Sequence, residues 1–184
     1  MNIALLGGSF NPPHNGHISI VRQVLEFGYA DEVWFLPNYT QSPPKDVAPV
    51  ADRLAMTRLL DVPKTRVSAI EIDNKLDGET IHLLPFLPKE HAFSFIIGSD
   101  QLSGFTKWLD WEQLLKSMQF LVFPREGYPM ESLYKEMKTI NDERLMMNDT
   151  SSTEIRERVK SGLPIESYVS HAIARYISEH KLYL

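Results

Sequence analysis

Short, continuously apolar segments alternate with helical patterns along most of this sequence. The apolar segments are rich in branched and aromatic residues, as in NIALLG (2–7), EVWFLP (32–37) and QFLVFP (119–124). Strands that are apolar throughout and alternate with helices form parallel sheets that are covered on both faces. The pattern predicts a doubly wound parallel α/β sheet of five or six strands. Helices are predicted over residues 17–27, 51–60, 80–87 and 111–117.

Three further segments complete the predicted sheet: RVSAIEI (66–72), AFSFIIGS (92–99) and, as the candidate sixth strand, ERLMMN (143–148). Two C-terminal helices follow. The first lies in SSTEIRERVKSG and ends at Gly162, and the second lies in SYVSHAIARYISEHKLYL after Pro164. A length of 184 residues fits one domain, so we expect a single domain over residues 1–184.

Composition narrows the functional classes. The absence of cysteine excludes disulfides, thiolate metal sites and a cysteine nucleophile, and it suits the cytoplasm. The net charge of −5, without a block of like charges, argues against binding to nucleic acid. The N-terminus lacks the features of a signal peptide, and no apolar run is long enough to span a membrane. We expect a cytoplasmic protein, and whether it forms a homo-oligomer stays open.

The segment GGSFNPPHNGH (7–17) connects the first predicted strand to the first helix. Such turns lie at the edge of an open α/β sheet where these folds bind ligands. Gly7 and Gly8 let backbone N–H groups approach a phosphate, and the helix N-terminus adds unpaired amides. His14 and His17 are spaced to lie on one side of the turn and to donate to one bound group. The segment predicts an anion site, whereas two histidines without a third ligand make a poor zinc site.

A second anion site is predicted in DTSSTEIRERV (149–159). Ser151, Ser152 and Thr153 offer three consecutive hydroxyls at a helix start, and Arg156 follows within one turn. A single serine here would be interpreted as an ordinary helix cap. Three hydroxyls with an arginine favour phosphate binding.

These motifs resemble those of a known superfamily. GGSFNPPHNGH is similar to the G-x-F-x-P-x-H-x-G-H signature of nucleotidyltransferases, which is related to the HIGH motif of class I aminoacyl-tRNA synthetases, and DTSSTEIR is similar to their I-S-S-T-x-I-R motif. Together with FIIGSDQLSGFTKWLDWEQLL (95–115) and FPREGYP (123–129), their order resembles the bacterial nicotinate mononucleotide adenylyltransferase family over nearly the whole chain.

The resemblance implies a Rossmann-like nucleotidyltransferase fold and adenylyl transfer from ATP to nicotinate mononucleotide in NAD biosynthesis. Mg²⁺ would be bound with the ATP phosphates. The implied catalytic residues are His14, His17 and Arg156. The implied ATP-binding residues are Gly7, Gly8, Ser9, Phe10, Gly98, Asp100, Arg125, Ser151, Ser152 and Thr153. The implied acceptor-binding residues are Asn38, Lys45, Thr80, Trp108 and Leu109, with Trp108 at the pyridine ring.

Two departures from the family pattern lie on the acceptor side. DGETIHLL keeps Thr80 but has Glu79 where the family has an aromatic residue, and the proline loop reads SPPKD instead of Pro-Pro-His-Lys/Arg. We expect Glu79 to point away from the acceptor, because adjacent helix residues do not share a face. The alternatives are nicotinamide mononucleotide, phosphopantetheine or a cytidylyl acceptor. A non-catalytic nucleotide-binding sensor on the same fold is a further alternative.

Overall fold

The computed structural model describes residues 1–40, 47–129 and 131–184. The strands within them are β1 (Asn2–Gly8), β2 (Glu32–Pro37), β3 (Thr65–Val67), β4 (Ala92–Gly98), β5 (Gln119–Phe123) and β6 (Met137–Thr139). They form one sheet in the order β3-β2-β1-β4-β5-β6, and every neighbouring pair is parallel. The strand order reverses between β1 and β4, where open α/β sheets bind ligands. The predicted doubly wound sheet is confirmed.

Helices cover both faces of this sheet. They are α1 (Asn15–Glu26), α2 (Val50–Arg58), α3 (Ile70–Asp73), α4 (Thr80–Leu83), α5 (Trp111–Ser117), α6 (Ser152–Lys160) and α7 (His171–Glu179), with 3₁₀ segments at Leu84–Phe86 and Ser99–Lys107. Alternate β1 residues enter two different cores. Ala4 and Leu6 pack with residues of α1, α6 and α7, whereas Ile3 and Leu5 pack with residues of α4 and α5. None of the described helices is long and apolar enough to cross a membrane.

Three predicted elements differ from the structure. Residues 143–148 form no strand, and Met146 and Met147 are 68% and 49% exposed; the sixth strand is β6, whose only buried residue is Met137. A three-residue edge strand is too short to show an apolar pattern. The strand predicted over 66–72 ends at Val67, and α3 follows. The helix predicted over 80–87 divides into α4 and a 3₁₀ segment that contains a proline.

Candidate active site

The signature loop, residues 7–17, ends in a helix cap made of two histidines. His14 is the N-cap of α1, and its Nδ1 accepts a hydrogen bond from the Gly16 N–H at 3.1 Å. The His17 Nδ1 accepts one from the His14 N–H at 3.1 Å. A Cβ at Gly16 would lie 2.9 Å from the His14 ring, so the cap requires glycine there. The two rings have centroids 3.8 Å apart, as the spacing of the histidines predicts.

This cap determines which nitrogen of each imidazole carries the proton. A backbone N–H can only donate, so each Nδ1 is unprotonated and each Nε2 carries the proton of a neutral ring. Burial, together with the smaller effect of the nearby Arg125 guanidinium, lowers the pKa of His14 to about 4. The pKa of His17 lies well below its usual value. Burial is the largest cause, and His14 and Arg125 also lower it. At neutral pH the pair therefore offers two neutral Nε2–H donors.

Phe10 lies behind this pair. Its side chain is 1% exposed, its ring centroid is 4.9 Å from that of His17, and it meets Phe35 edge-on at 5.8 Å. Its φ of +47° is uncommon for a residue other than glycine. The Phe10 ring lies in the core and packs against His17, so its side chain supports the histidine pair from behind. The assignment of Phe10 to the ATP site stays a prediction.

A buried arginine joins the signature loop to the end of β2. Arg53 in α2 is 1% exposed, and its Nη1 donates to the carbonyls of Ser9 at 2.8 Å and Asn38 at 2.9 Å. Its Nη2 donates to the Tyr39 carbonyl at 3.2 Å, and its Nε donates to the Ala48 carbonyl at 3.1 Å. A planar guanidinium suits this task because its donors are held in a rigid fork. Arg53 thus brings the predicted ligand-binding residues Ser9 and Asn38 together.

The start of α6 lies against the same loop. Ser151 is the N-cap, and its Oγ accepts the Glu154 N–H at 3.2 Å, which is an ordinary cap. Ser152 Oγ donates to the Pro12 carbonyl at 2.8 Å. The hydroxyl of Ser152 is therefore already used to join the two predicted anion sites to each other.

Arg156 reaches the signature loop from one turn further along α6. Its Nη1 donates to the Asn11 carbonyl at 2.9 Å, and its Nη2 donates to Thr153 Oγ1 at 3.2 Å. Its Nε has no hydrogen-bond partner among the described residues. Arg156, Thr153 and the histidine loop are thus assembled around one region, as the motifs predict.

Gly98, Asp100 and Arg125 meet at the end of β4. A Cβ at Gly98 would collide with the Asp100 carboxylate and lie 3.3 Å from the Arg125 side chain. Asp100 Oδ1 is 3.9 Å from Arg125 Nε, a loose ion pair between partly exposed side chains. That Nε is buried without a hydrogen-bond partner in the described part of the chain, which suits a group that receives a ligand. Because Arg125 also affects the pKa of both histidines, it belongs to the same site.

A cavity of about 490 Å³ opens beside the first residues of the signature loop. Five predicted ligand-binding residues line it: Gly7, Gly8, Asn38, Thr80 and Trp108. The Trp108 ring is supported by Phe105, whose centroid is 5.2 Å away, and by Phe95 at 6.3 Å. Three of the predicted acceptor-binding residues, Asn38, Thr80 and Trp108, therefore line one cavity.

One acceptor-side prediction, the orientation of Glu79, is wrong. Glu79 lines the cavity with Thr80, although the sequence predicts that it points away. Glu79 is the N-cap of α4 and has an extended backbone, so the helical-face argument does not apply to it. Leu109 is 44% exposed and is not among the residues that line the cavity, and its assignment to the acceptor stays a prediction. Lys45 lies outside the described residues, so its assignment stays a prediction.

Sequence reasoning missed Glu71, a buried carboxyl group in the cavity wall. Glu71 in α3 is 6% exposed, and its Oε2 has no hydrogen-bond partner among the described residues. Burial raises the pKa of Glu71 to about 7, against the opposing effects of the Tyr39 backbone and Arg53. A single acidic residue in an apolar context gives no pattern that could have revealed it.

The described residues contain no cluster of three histidine or acidic side chains that could hold a metal ion. The groups that meet at the signature loop are amides, imidazole N–H groups and guanidinium groups, which are all donors. The site therefore suits an anion.

Comparisons with known proteins agree with this geometry. The cytidylyltransferase-like family model matches residues 5–158. Nicotinate-nucleotide adenylyltransferase from Bacillus subtilis is 32% identical over 191 positions, which cover 98% of this chain and 97% of that protein. The chain belongs to the nicotinate-nucleotide adenylyltransferase family. A relative from Salinibacter ruber, named "Probable nicotinate-nucleotide adenylyltransferase", is 34% identical over all of this chain and 98% of its own length.

Solved structures show the same fold. Nicotinic acid mononucleotide adenylyltransferase from Plasmodium falciparum, complexed with NaAD, has a TM-score of 0.85 at 22% identity. The match covers 99% of this chain and 97% of that one. The P. falciparum enzyme complexed with APC has a TM-score of 0.74 at 19% identity, with 99% and 96% coverage. This family member therefore has the Rossmann-like nucleotidyltransferase fold.

Proposed function

We propose that this protein transfers the adenylyl group of ATP to nicotinate mononucleotide, giving nicotinate adenine dinucleotide and pyrophosphate. The observation that carries the proposal is the histidine pair, whose two Nε2–H donors lie at the N-terminus of α1. Family membership supports the same reaction.

The reaction requires no general base. A phosphate oxygen of the mononucleotide, already anionic, attacks the α-phosphorus of ATP and forms the new O–P bond. The bond from the α-phosphorus to the bridging oxygen breaks, and pyrophosphate leaves with the electron pair. Negative charge spreads over the oxygens of the α-phosphate in the transition state, where preformed donors are most effective.

Each catalytic residue has a position that suits this step. We assign His14 and His17 to the α-phosphate, because both belong to the signature loop and each keeps an Nε2–H donor that the helix cap does not use. Arg156, with the α6 amides, would neutralise the β- and γ-phosphates, and Arg125 with Asp100 would border the adenosine. Mg²⁺ would be bound with the ATP phosphates and would neutralise part of their charge.

Acceptor binding falls to the cavity. Trp108 offers an aromatic face that accepts a pyridinium ring whether it carries a carboxylate or an amide. Thr80, at the start of α4, supplies donors toward a carboxylate, whereas Glu79 and Glu71 oppose one by charge. We propose a preference for nicotinate over nicotinamide mononucleotide of at least about tenfold in kcat/KM.

One assay tests this proposal: pyrophosphate release from MgATP with each acceptor in turn. Release with nicotinate mononucleotide, at least tenfold above that with the amide, supports it. Release with phosphopantetheine, or from CTP with a cytidylyl acceptor, identifies a different transferase. ATP binding without release under every condition identifies a nucleotide-binding sensor. Release that is abolished by EDTA and restored by Mg²⁺ supports the MgATP assignment.

We also infer a single domain over residues 1–184 that acts in the cytoplasm, with neither nucleic acid nor membrane as partner. The net charge of −5 and the absence of cysteine support this inference. Light scattering during size-exclusion chromatography measures whether it is a homo-oligomer.

A further inference from the structure

Asn11, in the middle of the signature loop, connects three parts of the molecule. Its side chain is buried, with 2% exposure of the residue. Its Oδ1 accepts hydrogen bonds from the Tyr183 hydroxyl at 2.8 Å and from the Ala48 N–H at 2.9 Å. Its backbone carbonyl accepts the Arg156 Nη1 at 2.9 Å. Asn11, whose carbonyl binds the Arg156 guanidinium, is thus held in place through its own side chain.

The orientation of this amide follows from its partners. The Ala48 N–H can only donate, so the atom that faces it must be the amide oxygen and not the nitrogen. Tyr183 then uses the second acceptor position of the same oxygen, as a donor. Burial raises the pKa of Tyr183 far above its usual value, so the hydroxyl keeps its proton throughout the neutral range.

Tyr183 occupies an unusual backbone conformation. Its φ is +64°, in the left-handed region that favours glycine. A tyrosine stays in this region only where its surroundings determine the conformation. The contact with Asn11 is one such determinant, because it anchors the ring at its far end.

We propose that Tyr183 is a positioning residue for adenylyl transfer, which orients the Arg156 guanidinium toward the nucleotide phosphates by fixing Asn11. This inference rests on the proposed function. It assigns a role in the reaction to a residue that is separated from the phosphate-binding residues by one side chain and one carbonyl group.

A second tyrosine provides a matched control. The Tyr176 hydroxyl donates to Asp52 Oδ1 at 2.9 Å, so it also joins the C-terminal segment to the rest of the domain. Asp52 lies in α2 and has no hydrogen bond to Arg156 or to the signature loop among the described residues. Removing either hydroxyl costs one hydrogen bond, from Tyr183 to a neutral amide oxygen or from Tyr176 to a carboxylate oxygen, but only the Tyr183 bond leads to the arginine.

The test is a double-mutant cycle in full-length protein. Tyr183→Phe and Tyr176→Phe are each made in the wild-type protein and in the Arg156→Lys variant. For every protein, kcat/KM for ATP is measured by pyrophosphate release. We expect Tyr183→Phe to lower kcat/KM about five- to tenfold and Tyr176→Phe to lower it less than about twofold. We also expect Arg156→Lys to cost less in the Tyr183→Phe background than in the wild type, because the two residues act as a unit.

Other outcomes overturn the proposal. Additive effects of Tyr183→Phe and Arg156→Lys would show that the tyrosine does not act through the arginine. Equal activity losses in the two Phe variants, with equal shifts in Tm, would show a structural role only. If wild-type protein binds ATP but releases no pyrophosphate, the proposed function fails. In that case the same cycle is measured as ATP affinity by calorimetry, where additivity again rejects the coupling.

Discussion

The two halves of the site are built in different ways. On the phosphate side, His14, His17 and Arg156 are each hydrogen-bonded to the backbone of the signature loop, and Arg53 holds the loop from within the core. In the acceptor cavity, the buried Oε2 of Glu71 finds no partner in the part of the chain that the structure describes. His14, His17 and Arg156 are thus held by hydrogen bonds to the backbone before any ligand arrives, whereas Glu71 Oε2 in the cavity has no such bond within the described ranges.

This difference matches the demands of the two tasks. Stabilising a transition state requires donors that do not reorganise during the reaction, which backbone hydrogen bonds provide. Recognising an acceptor requires groups that distinguish one substituent from another, and a few side chains are enough for that. We therefore expect substitutions on the phosphate side to change the rate of adenylyl transfer, and substitutions in the cavity to change the preference between acceptors.

The largest expected effect is that of His17→Ala. Loss of one preformed donor should lower kcat by about 10²–10³-fold, with a smaller change in ATP affinity. Because His17 also closes the α1 cap, the free energy of unfolding should fall by about 1 kcal/mol, as is typical of a lost cap, and Tm should fall with it. Stopped-flow kinetics, calorimetry and thermal melts measure the three quantities.

Ser170→Ala serves as the control, since Ser170 Oγ accepts the Ile173 N–H as the cap of α7. It should lower Tm comparably and leave kcat unchanged. If His17→Ala lowers ATP affinity as much as it lowers kcat, His17 contributes to binding ATP in the ground state and not specifically to the transition state.

The next effect concerns the stability of the cavity side. Glu71 has a folded pKa of about 7 against an ordinary value of 4.5, so the folded state binds more protons over that interval. The contribution of Glu71 to the free energy of unfolding is fully present below about pH 4.5, where the carboxyl group is neutral. This contribution is lost as pH rises through 7. Relative to Glu71→Gln, wild-type stability should fall by on the order of 3 kcal/mol between about pH 4 and pH 8.

Urea denaturation of both proteins at several pH values measures this difference. Asp73→Asn, on the exposed side of the same short helix, is the matched control for replacing an acidic side chain of α3 by its amide. A pH-independent difference between wild type and Glu71→Gln would mean that Glu71 has an unrecognised partner, and the contrast between the two halves would weaken.

Arg156→Lys should raise the KM for ATP by about tenfold, because lysine keeps the charge but loses the planar fork that fits phosphate oxygens. The KM for the mononucleotide should change little. Steady-state kinetics with each substrate varied in turn measure both values. Unchanged ATP kinetics would remove Arg156 from the phosphate side.

The smallest effect is expected for Glu79→Gln. Removing a carboxylate from the cavity wall should raise kcat/KM for nicotinate mononucleotide about threefold, since a partly exposed charge pair is weak. The rate with nicotinamide mononucleotide, which lacks the negative substituent, should stay the same. Equal changes with both substrates would show that Glu79 acts on the shared ribose phosphate and not on acceptor choice.

The same contrast separates what the sequence predicts from what it does not. The β1 strand, the α1 helix and the histidine pair follow from local patterns, because apolar runs and cap residues are set by neighbours in the chain. Arg53 and Asn11 could not be predicted as supports, since their partners lie far away in sequence. Glu79 was misplaced because the start of α4 lies one residue later than the helical argument requires.

The double-histidine cap has a consequence for how this site evolves and how it can be engineered. Functional side chains usually reduce stability, so selection for folding alone tends to replace them. Here the two imidazoles satisfy backbone donors at the start of α1, and the stability gained from the cap opposes their replacement. A library screened only for solubility or heat resistance should therefore keep His14 and His17 at high frequency, and with them the capacity for catalysis.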